Sequence, residues 1–221
     1  MFPDNATITD LTMTLEDGQR GVAFEPKYTM EKDGWNARTL HLYSHAGTHL
    51  DAPLHFGCGE TTVDQIPLDR FMGAAHVVDL TDIKPRAKIT VAHLGEVAEV
   101  FLPGESLLLA TGWSRHAGDP AYYRDHFPRI GEELARWCVE KGVKILGVEP
   151  PSVADVNNLE EVTRIHQILL GAGIVIVEGL TNLDQLGAHK VFFAAPPLKI
   201  GGGDGTPCRA FAALTKPSEE G

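Results

Sequence analysis

Two short apolar runs, Val143 to Val148 and Ile174 to Val177, flank a segment with helical spacing, and this arrangement most narrows the folds open to the chain. Between them Leu159, Val162, Ile165, Leu169 and Leu170 recur on one helical face. Asn158 stands at the cap position, Glu161 three residues on as in a capping box, and Gly171 and Gly173 end the helix. Pro150 and Pro151 stop the first run, because proline cannot continue a strand ladder. A second helix is predicted over Ile130 to Lys141, with Ile130, Leu134, Trp137 and Cys138 at helical spacing and Gly142 at its stop. This half of the chain therefore reads as alternating strand and helix.

The first half reads mainly as strands and irregular connections. Strands are predicted over Thr7 to Thr14, Ala37 to Tyr43, Ala75 to Leu80 and, after the Pro103-Gly104-Glu105 turn, Leu107 to Thr111. Val91 to Val100 is expected to form a short helix led by Thr90, Leu183 to Leu186 one helical turn, and Lys190 to Ala194 a strand. The polar tail Thr215 to Gly221 is expected to fray. Nothing repeats and no linker divides the chain, so residues 1–221 are expected to form one domain. A chain of 221 residues can bury roughly 70% of its unfolded surface in one core. The glycine-rich stretch GGGDG at 201–205 lacks the Lys-Ser/Thr ending of a phosphate loop and reads as a folded connection.

Composition excludes whole classes of function. Hydrophobic residues at 43% and charged residues at 22% rule out a disordered, fibrous or membrane-spanning chain. With 19 basic and 30 acidic residues the net charge is −11, which leaves no electrostatic footprint for nucleic acid or an anionic membrane. Cys58, Cys138 and Cys208 are far apart, form no CxxC pair and read as reduced thiols. The amino terminus has neither a basic region nor an apolar stretch of signal length. The expected setting is soluble and cytoplasmic.

One segment concentrates chemistry: His45-Ala-Gly-Thr-His49-Leu-Asp51-Ala-Pro-Leu-His55. Three of the ten histidines and an aspartate fall within it, and imidazole nitrogen with carboxylate oxygen is a ligand set for divalent zinc, manganese or iron. His49 and Asp51 in an extended backbone share a face, with about 6.6 Å between Cα atoms. His45 and His49 in a straight strand would stand about 13 Å apart, too far to share one ion. The chain must bend between them, and Gly47 is where a bend is easiest. Far downstream, His166 falls within the apolar arc of the capped helix. Glu178 ends the Ile174–Val177 run, where parallel α/β proteins collect function. Together these five side chains would form one ligand shell.

The stretch from His45 to His55 resembles the HxGTHxDxPxH signature of the cyclase family of metal-dependent hydrolases, which includes the bacterial kynurenine formamidases and isatin hydrolases. Asp10-Leu11 is similar to the family's early strand, with threonine in place of its serine. Thr111-Gly112-Trp113 is similar to its TGW segment and Ser152-Val153 to its SVD stretch. His166, Leu169, Leu170 and Glu178 match its second ligand region, and Gly202-x-Asp204-Gly205-Thr206-Pro207-x-Arg209-Ala210 its closing GxDGSPxRA segment. The resemblance covers nearly the whole chain.

It implies an α/β fold, a swivelling β/β/α domain with a mainly β core flanked by helices, assembled as a homo-dimer or homo-tetramer. It also implies a divalent metal, Zn or Mn, at one or two ions per chain. His45, His49 and Asp51 would hold the first ion; Asp51 would bridge to a second held by His166 and Glu178. His55 would be the general acid and base. Glu149 stands where the formamidases carry aspartate, Pro150-Pro151 replaces Asp-Thr, and Asp155 is displaced from its usual place. These departures adjoin the expected pocket and bear on the substrate.

The expected reaction is hydrolysis of a C–N amide bond, in an aryl formamide or a cyclic amide or imide, by metal-activated water with His55 moving the proton. The partner is then a small-molecule amide. Trp113 is expected as an aromatic wall, with Trp35, Tyr122, Tyr123 and Phe127 as further candidates. Arg115, His116 and Arg209 are expected to meet a substrate carboxylate. The same site would also serve a lactone hydrolase or a lyase, dehydratase or isomerase, and a non-catalytic metal-binding protein would carry the same ligands.

Overall fold

The computed structural model describes residues 6–187 and 189–215, and the strands, helices and contacts below are those of the described residues. The strands are β1 (Ala6–Asp10), β2 (Val22–Tyr28), β3 (Ala37–Leu42), β4 (His49–Asp51), β5 (Met72–Asp79), β6 (Lys88–Ile89), β7 (Ser106–Ala110), β8 (Arg129–Ile130), β9 (Ile145–Val148), β10 (Val175–Glu178), β11 (His189–Ala194), β12 (Gly205–Pro207) and β13 (Phe211–Thr215). Nine of them form one sheet in the order β1-β13-β11-β5-β7-β9-β10-β4-β12. Its middle, β5-β7-β9-β10, is parallel, and both flanks are antiparallel. β2 and β3 pair only with each other as a hairpin sheet, and β6 pairs with β8. The helices are α1 (Met30–Asp33), α2 (Val97–Val100), α3 (Pro120–Asp125), α4 (Glu132–Lys141) and α5 (Leu159–Gly171). This is the mixed α/β architecture expected, a mainly β core flanked by helices.

The unbroken apolar runs of the central strands have a simple cause. Leu107, Leu109, Leu146, Val148 and Ile176 face a core shared with Leu134 and Cys138 of α4 and with Ile165, Leu169 and Leu170 of α5. Their neighbours Leu108, Ile145, Val175 and Val177 face the opposite core, with Leu50, Val191 and Phe193. Parallel strands covered on both faces carry no polar alternation, so these runs read as continuous.

Three local expectations change. Ile130 leaves the predicted helix: it pairs with Ile89 in β8, its N–H donates to the Val153 carbonyl, and α4 starts only after Gly131. Tertiary pairing outweighs helical spacing there. Val91–Val100 divides at Gly95 (φ +54) into one 3-10 turn, capped by Thr90, and α2. At α5 the Asn158 side chain does accept the Glu161 N–H (3.1 Å), but Glu161 spends its own carboxylate on Arg129 Nε at 2.6 Å instead of completing a capping box. Thr215 ends β13, and the rest of the tail expected to fray lies outside the described residues. Among the described residues, no helix is long and apolar enough to cross a membrane.

Candidate metal centre

The site is built around β4, three residues long and wedged between β10 and β12. His49 lies opposite Glu178 and Asp51 opposite Ile176, so His49 and Glu178 are a cross-strand pair. On the other edge Asp51 lies opposite Gly205 and His49 opposite Pro207. Gly47, at φ +60, supplies the bend the ligand spacing requires. Its carbonyl comes so close to Gly179 that a Cβ on Gly179 would stand only 2.4 Å from it, so only glycine fits after Glu178. The bend brings the His45 ring to 5.1 Å from that of His49 and its Nδ1 to 2.8 Å from Asp51 Oδ1.

After Asp51, Pro53–Phe56 makes one 3-10 turn. That turn carries His55 back over the site, where its ring stacks on His45 at 3.9 Å and lies 6.1 Å from His166. His166 projects from α5 with its Nε2 3.3 Å from Glu178 Oε1 and 3.6 Å from Asp51 Oδ2. Phe56 covers the His166 ring at 4.2 Å. His49 Nε2 lies 3.3 Å from Glu178 Oε2 and 3.8 Å from Asp51 Oδ1. The structure thus brings His45, His49, Asp51, His55, His166 and Glu178 into one cluster.

Its electrostatics ask for a cation. His49 Nδ1–H donates to the Gly47 carbonyl at 2.9 Å and His166 Nδ1–H to the Val162 carbonyl at 2.7 Å. A carbonyl only accepts, so those nitrogens carry the hydrogens, and the Nε2 lone pairs of neutral rings would face carboxylates. His49, Asp51, His166 and Glu178 are exposed by only 3%, 1%, 2% and 3%, so water cannot relieve that opposition. Asp51 Oδ2 is moreover a buried oxygen with no hydrogen-bond partner. Leaving such an atom unsatisfied costs about 1–3 kcal/mol, and more for a charged group.

The ionisable groups respond as expected of an ion-free site. Burial works against charge on His49 and His166, yet Glu178 and Asp51 outweigh it and raise both pKa values. Burial likewise opposes charge on Glu178, and the two imidazoles overcome it and lower its pKa. Burial is outweighed at His45 too, where Asp51 and Asp204 lift the pKa to about 9. His55 goes the other way, lowered by burial and by the neighbouring His45 and His166 rings.

A divalent ion resolves these conflicts, since it takes imidazole lone pairs and carboxylate oxygens together. Two donor triads have ligand atoms within 4.8 Å of one another: His45, Asp51 and His55, and His49, Asp51 and Glu178. They share Asp51. This grouping departs from the one the resemblance implies, which puts His45 with His49 and leaves His55 outside the ligand sets.

Three of the expected substrate residues make contacts of their own. Trp113 is buried, with its Nε1–H on the Tyr123 carbonyl at 2.8 Å. Arg115 Nε turns back onto the Gly112 carbonyl, and Arg209 pairs with both oxygens of Asp10 at 3.1 and 2.7 Å. Glu149 is committed as well, accepting from Thr111 Oγ1, the Trp113 N–H and Ser114 Oγ at 3.1, 3.1 and 2.9 Å. Sequence reasoning missed Asp204, whose Oδ2 lies 2.9 Å from His45 Nε2 and 3.6 Å from His55 Nδ1. The available signal was an acid inside a glycine-rich connection that had no phosphate role.

Residues 9–155 match the family described as "Putative cyclase". The chain is 33% identical over 175 residues to a kynurenine formamidase of Salinibacter ruber (strain DSM 13855 / M31), covering 79% of this chain and 78% of that one. It is 31% identical over 195 residues to a kynurenine formamidase of Bacillus thuringiensis (strain Al Hakam), covering 87% and 88%. Among solved structures, isatin hydrolase A from Labrenzia aggregata, bound to benzyl benzoate, superposes with a TM-score of 0.85 at 27% identity over 96% of this chain and 95% of that one.

Proposed function

The chain belongs to the cyclase family of metal-dependent hydrolases, and from that premise we propose that it hydrolyses the C–N amide bond of a small molecule, an aryl formamide or a cyclic amide or imide. The observation that carries this reading is the buried Asp51 carboxylate, with an orphaned oxygen, set among three imidazoles. In this reading His45, His49, Asp51, His166 and Glu178 would hold one or two ions of Zn or Mn, and His55, although within reach of His45 and Asp51, is kept for the proton. Bound there, a divalent ion supplies a water of lowered pKa and polarises the substrate carbonyl.

The chain's own groups do the remaining work. His55 stands at the more exposed rim of the cluster with Nδ1 toward Asp204, which leaves Nε2 to take a proton from the attacking water. The same nitrogen returns it to the departing amide nitrogen. Glu178 accepts the Val153 N–H at 2.7 Å, and His49 and His166 are each tethered to a backbone carbonyl, so the rings are oriented before substrate arrives. The apolar cover of Phe56 keeps bulk water from one side of His166.

The test is a screen of the full chain, loaded with Zn or Mn, against an N-formyl arylamine, isatin, a cyclic imide and a lactone. The expected result is turnover of a formamide or cyclic amide with equimolar acid and amine groups formed, lost on chelation and restored by the ion. Turnover confined to the lactone, or addition of no water to any substrate, would overturn the assignment.

Cytoplasmic residence and the lack of a nucleic-acid or membrane partner belong to the same proposal; the three free thiols and the charge of −11 support them. So does a homo-dimer or homo-tetramer. The β2–β3 hairpin and α1 expose Tyr28, Met30, Trp35 and Leu40, an apolar surface of the kind that subunits cover. Sedimentation equilibrium is expected to give two or four times the chain mass; a monomer at micromolar concentration would defeat the assembly.

A further inference from the structure

The glycine-rich connection between β11 and β12 ends in Asp204, and what that carboxylate touches is unusual for a loop acid. Its Oδ2 lies 2.9 Å from His45 Nε2, 3.6 Å from His55 Nδ1 and 3.5 Å from Ser44 Oγ. On the far side of the same ring, His45 Nδ1 lies 2.8 Å from Asp51 Oδ1. His45 therefore has a carboxylate at each nitrogen. A neutral imidazole carries one N–H and one lone pair, so it can donate to only one of the two.

The loop is built to hold Asp204 there without help from an ion. The Asp204 carbonyl accepts the Ala52 N–H at 2.9 Å, the Gly203 carbonyl accepts the Val63 N–H at 2.9 Å, and the Gly202 N–H donates to Asp64 Oδ1 at 3.0 Å. Gly205, next in sequence, pairs with Asp51 across β12 and β4. A Cβ on Gly205 would sit 2.5 Å from His45 Cε1 and 2.7 Å from the Leu50 carbonyl oxygen. The loop backbone is thus packed directly against the His45 ring, and the acid reaches around to its outer nitrogen.

We propose that Asp204 is a positioning residue: it takes the His45 Nε2–H, selects the tautomer whose Nδ1 lone pair faces Asp51, and thereby makes His45 a ligand of defined direction. A carboxylate behind a ligating imidazole fixes ring orientation and raises ligand basicity, and losing such a partner weakens metal binding by about 10–100-fold. Because the His55 ring stacks on His45, the same contact holds the acid–base ring in register over His45. His45 is the principal recipient rather than His55, since 2.9 Å is a hydrogen bond and 3.6 Å is not. This inference rests on the metal-dependent reading above.

The experiment uses full-length protein and does not depend on substrate. Zinc affinity is measured by chelator competition on wild type and Asp204→Asn. Zinc-loaded wild type is examined by long-range proton–nitrogen correlation, with the His45 ring assigned by its loss in His45→Asn. The expected results are an Nε2–H tautomer for His45 and zinc affinity weakened about 10–100-fold in Asp204→Asn. The visible spectrum of the cobalt-loaded variant should also differ from that of cobalt-loaded wild type, while the His49 tautomer stays the same. A His45 ring carrying its hydrogen on Nδ1 in zinc-loaded wild type overturns the proposal, and that measurement needs no variant to fold. Asp204→Asn binding zinc within about twofold of wild type overturns it equally. Wild type that binds neither zinc nor cobalt defeats the metal-dependent reading itself, an outcome distinct from both.

Discussion

Asp51→Asn is expected to purify without metal and to lose turnover by roughly 10³-fold or more, the scale of removing the ion's contribution to a hydrolysis. Asp51 is the one side chain shared by both donor triads. Its Oδ1 serves His45 and His49, and its Oδ2 faces His166 with no hydrogen-bond partner. Asparagine has nearly the same shape, so packing against β10 and β12 survives. What it removes is a full negative charge and one of two acceptor oxygens. In its place an amide N–H₂ is turned either toward the His45 and His49 side or toward His166. Elemental analysis of the variant, with a thermal melt against chelator-treated wild type, separates the causes. The expected variant melts within a few degrees of ion-free wild type and carries under a tenth of the metal found in untreated wild type. Retention of both metal and rate would remove Asp51 from the centre of the site.

His55→Ala is expected to keep its metal and lose about 10²–10⁴ in kcat, the ordinary contribution of a positioned proton carrier. Burial, with the neighbouring His45 and His166 rings, lowers the His55 pKa below the usual imidazole value of 6.5. The ring is therefore neutral at pH 7, ready to accept a proton, and becomes protonated only as pH falls through that lowered value. Wild-type kcat/KM should accordingly fall on the acid side below about pH 6.5, and the variant should lack that limb. The control is metal content, because the His55 ring also stacks on His45 at 3.9 Å. A variant with full activity, or with an unchanged acid limb, would assign the proton transfer elsewhere.

The sequence was most informative where chemistry is local. His45, His49, Asp51 and His55 lie within one short stretch, and their spacing alone demanded the bend found at Gly47. Glu178 was legible because it interrupts an apolar strand at its end. Asp204 was visible in the closing motif but carried no role there, since glycine-rich loops have no periodicity and its contact with His45 spans 159 positions. Nor could the strand order be read: pairing of β1 with β13, or of β4 with β10 and β12, is set by closure of long loops and leaves no local trace. Arg209 was legible only as a residue type, and its partner Asp10 lies 199 positions away. An arginine near a site motif suits an anionic substrate; here its Nε and one terminal nitrogen pair with Asp10.

The placement of β4 also has a consequence for how the protein comes into being. Its three residues are translated early, yet both of their sheet neighbours come from residues 175–178 and 205–207. Until those segments are made, His49 and Asp51 belong to a stub too short to hold a register alone. The His-Asp stretch therefore waits for the far half of the chain before either of its edges can pair. Contacts this distant in sequence carry a large loop-closure cost, so the capacity to bind an ion depends on segments more than 120 residues downstream having joined β4.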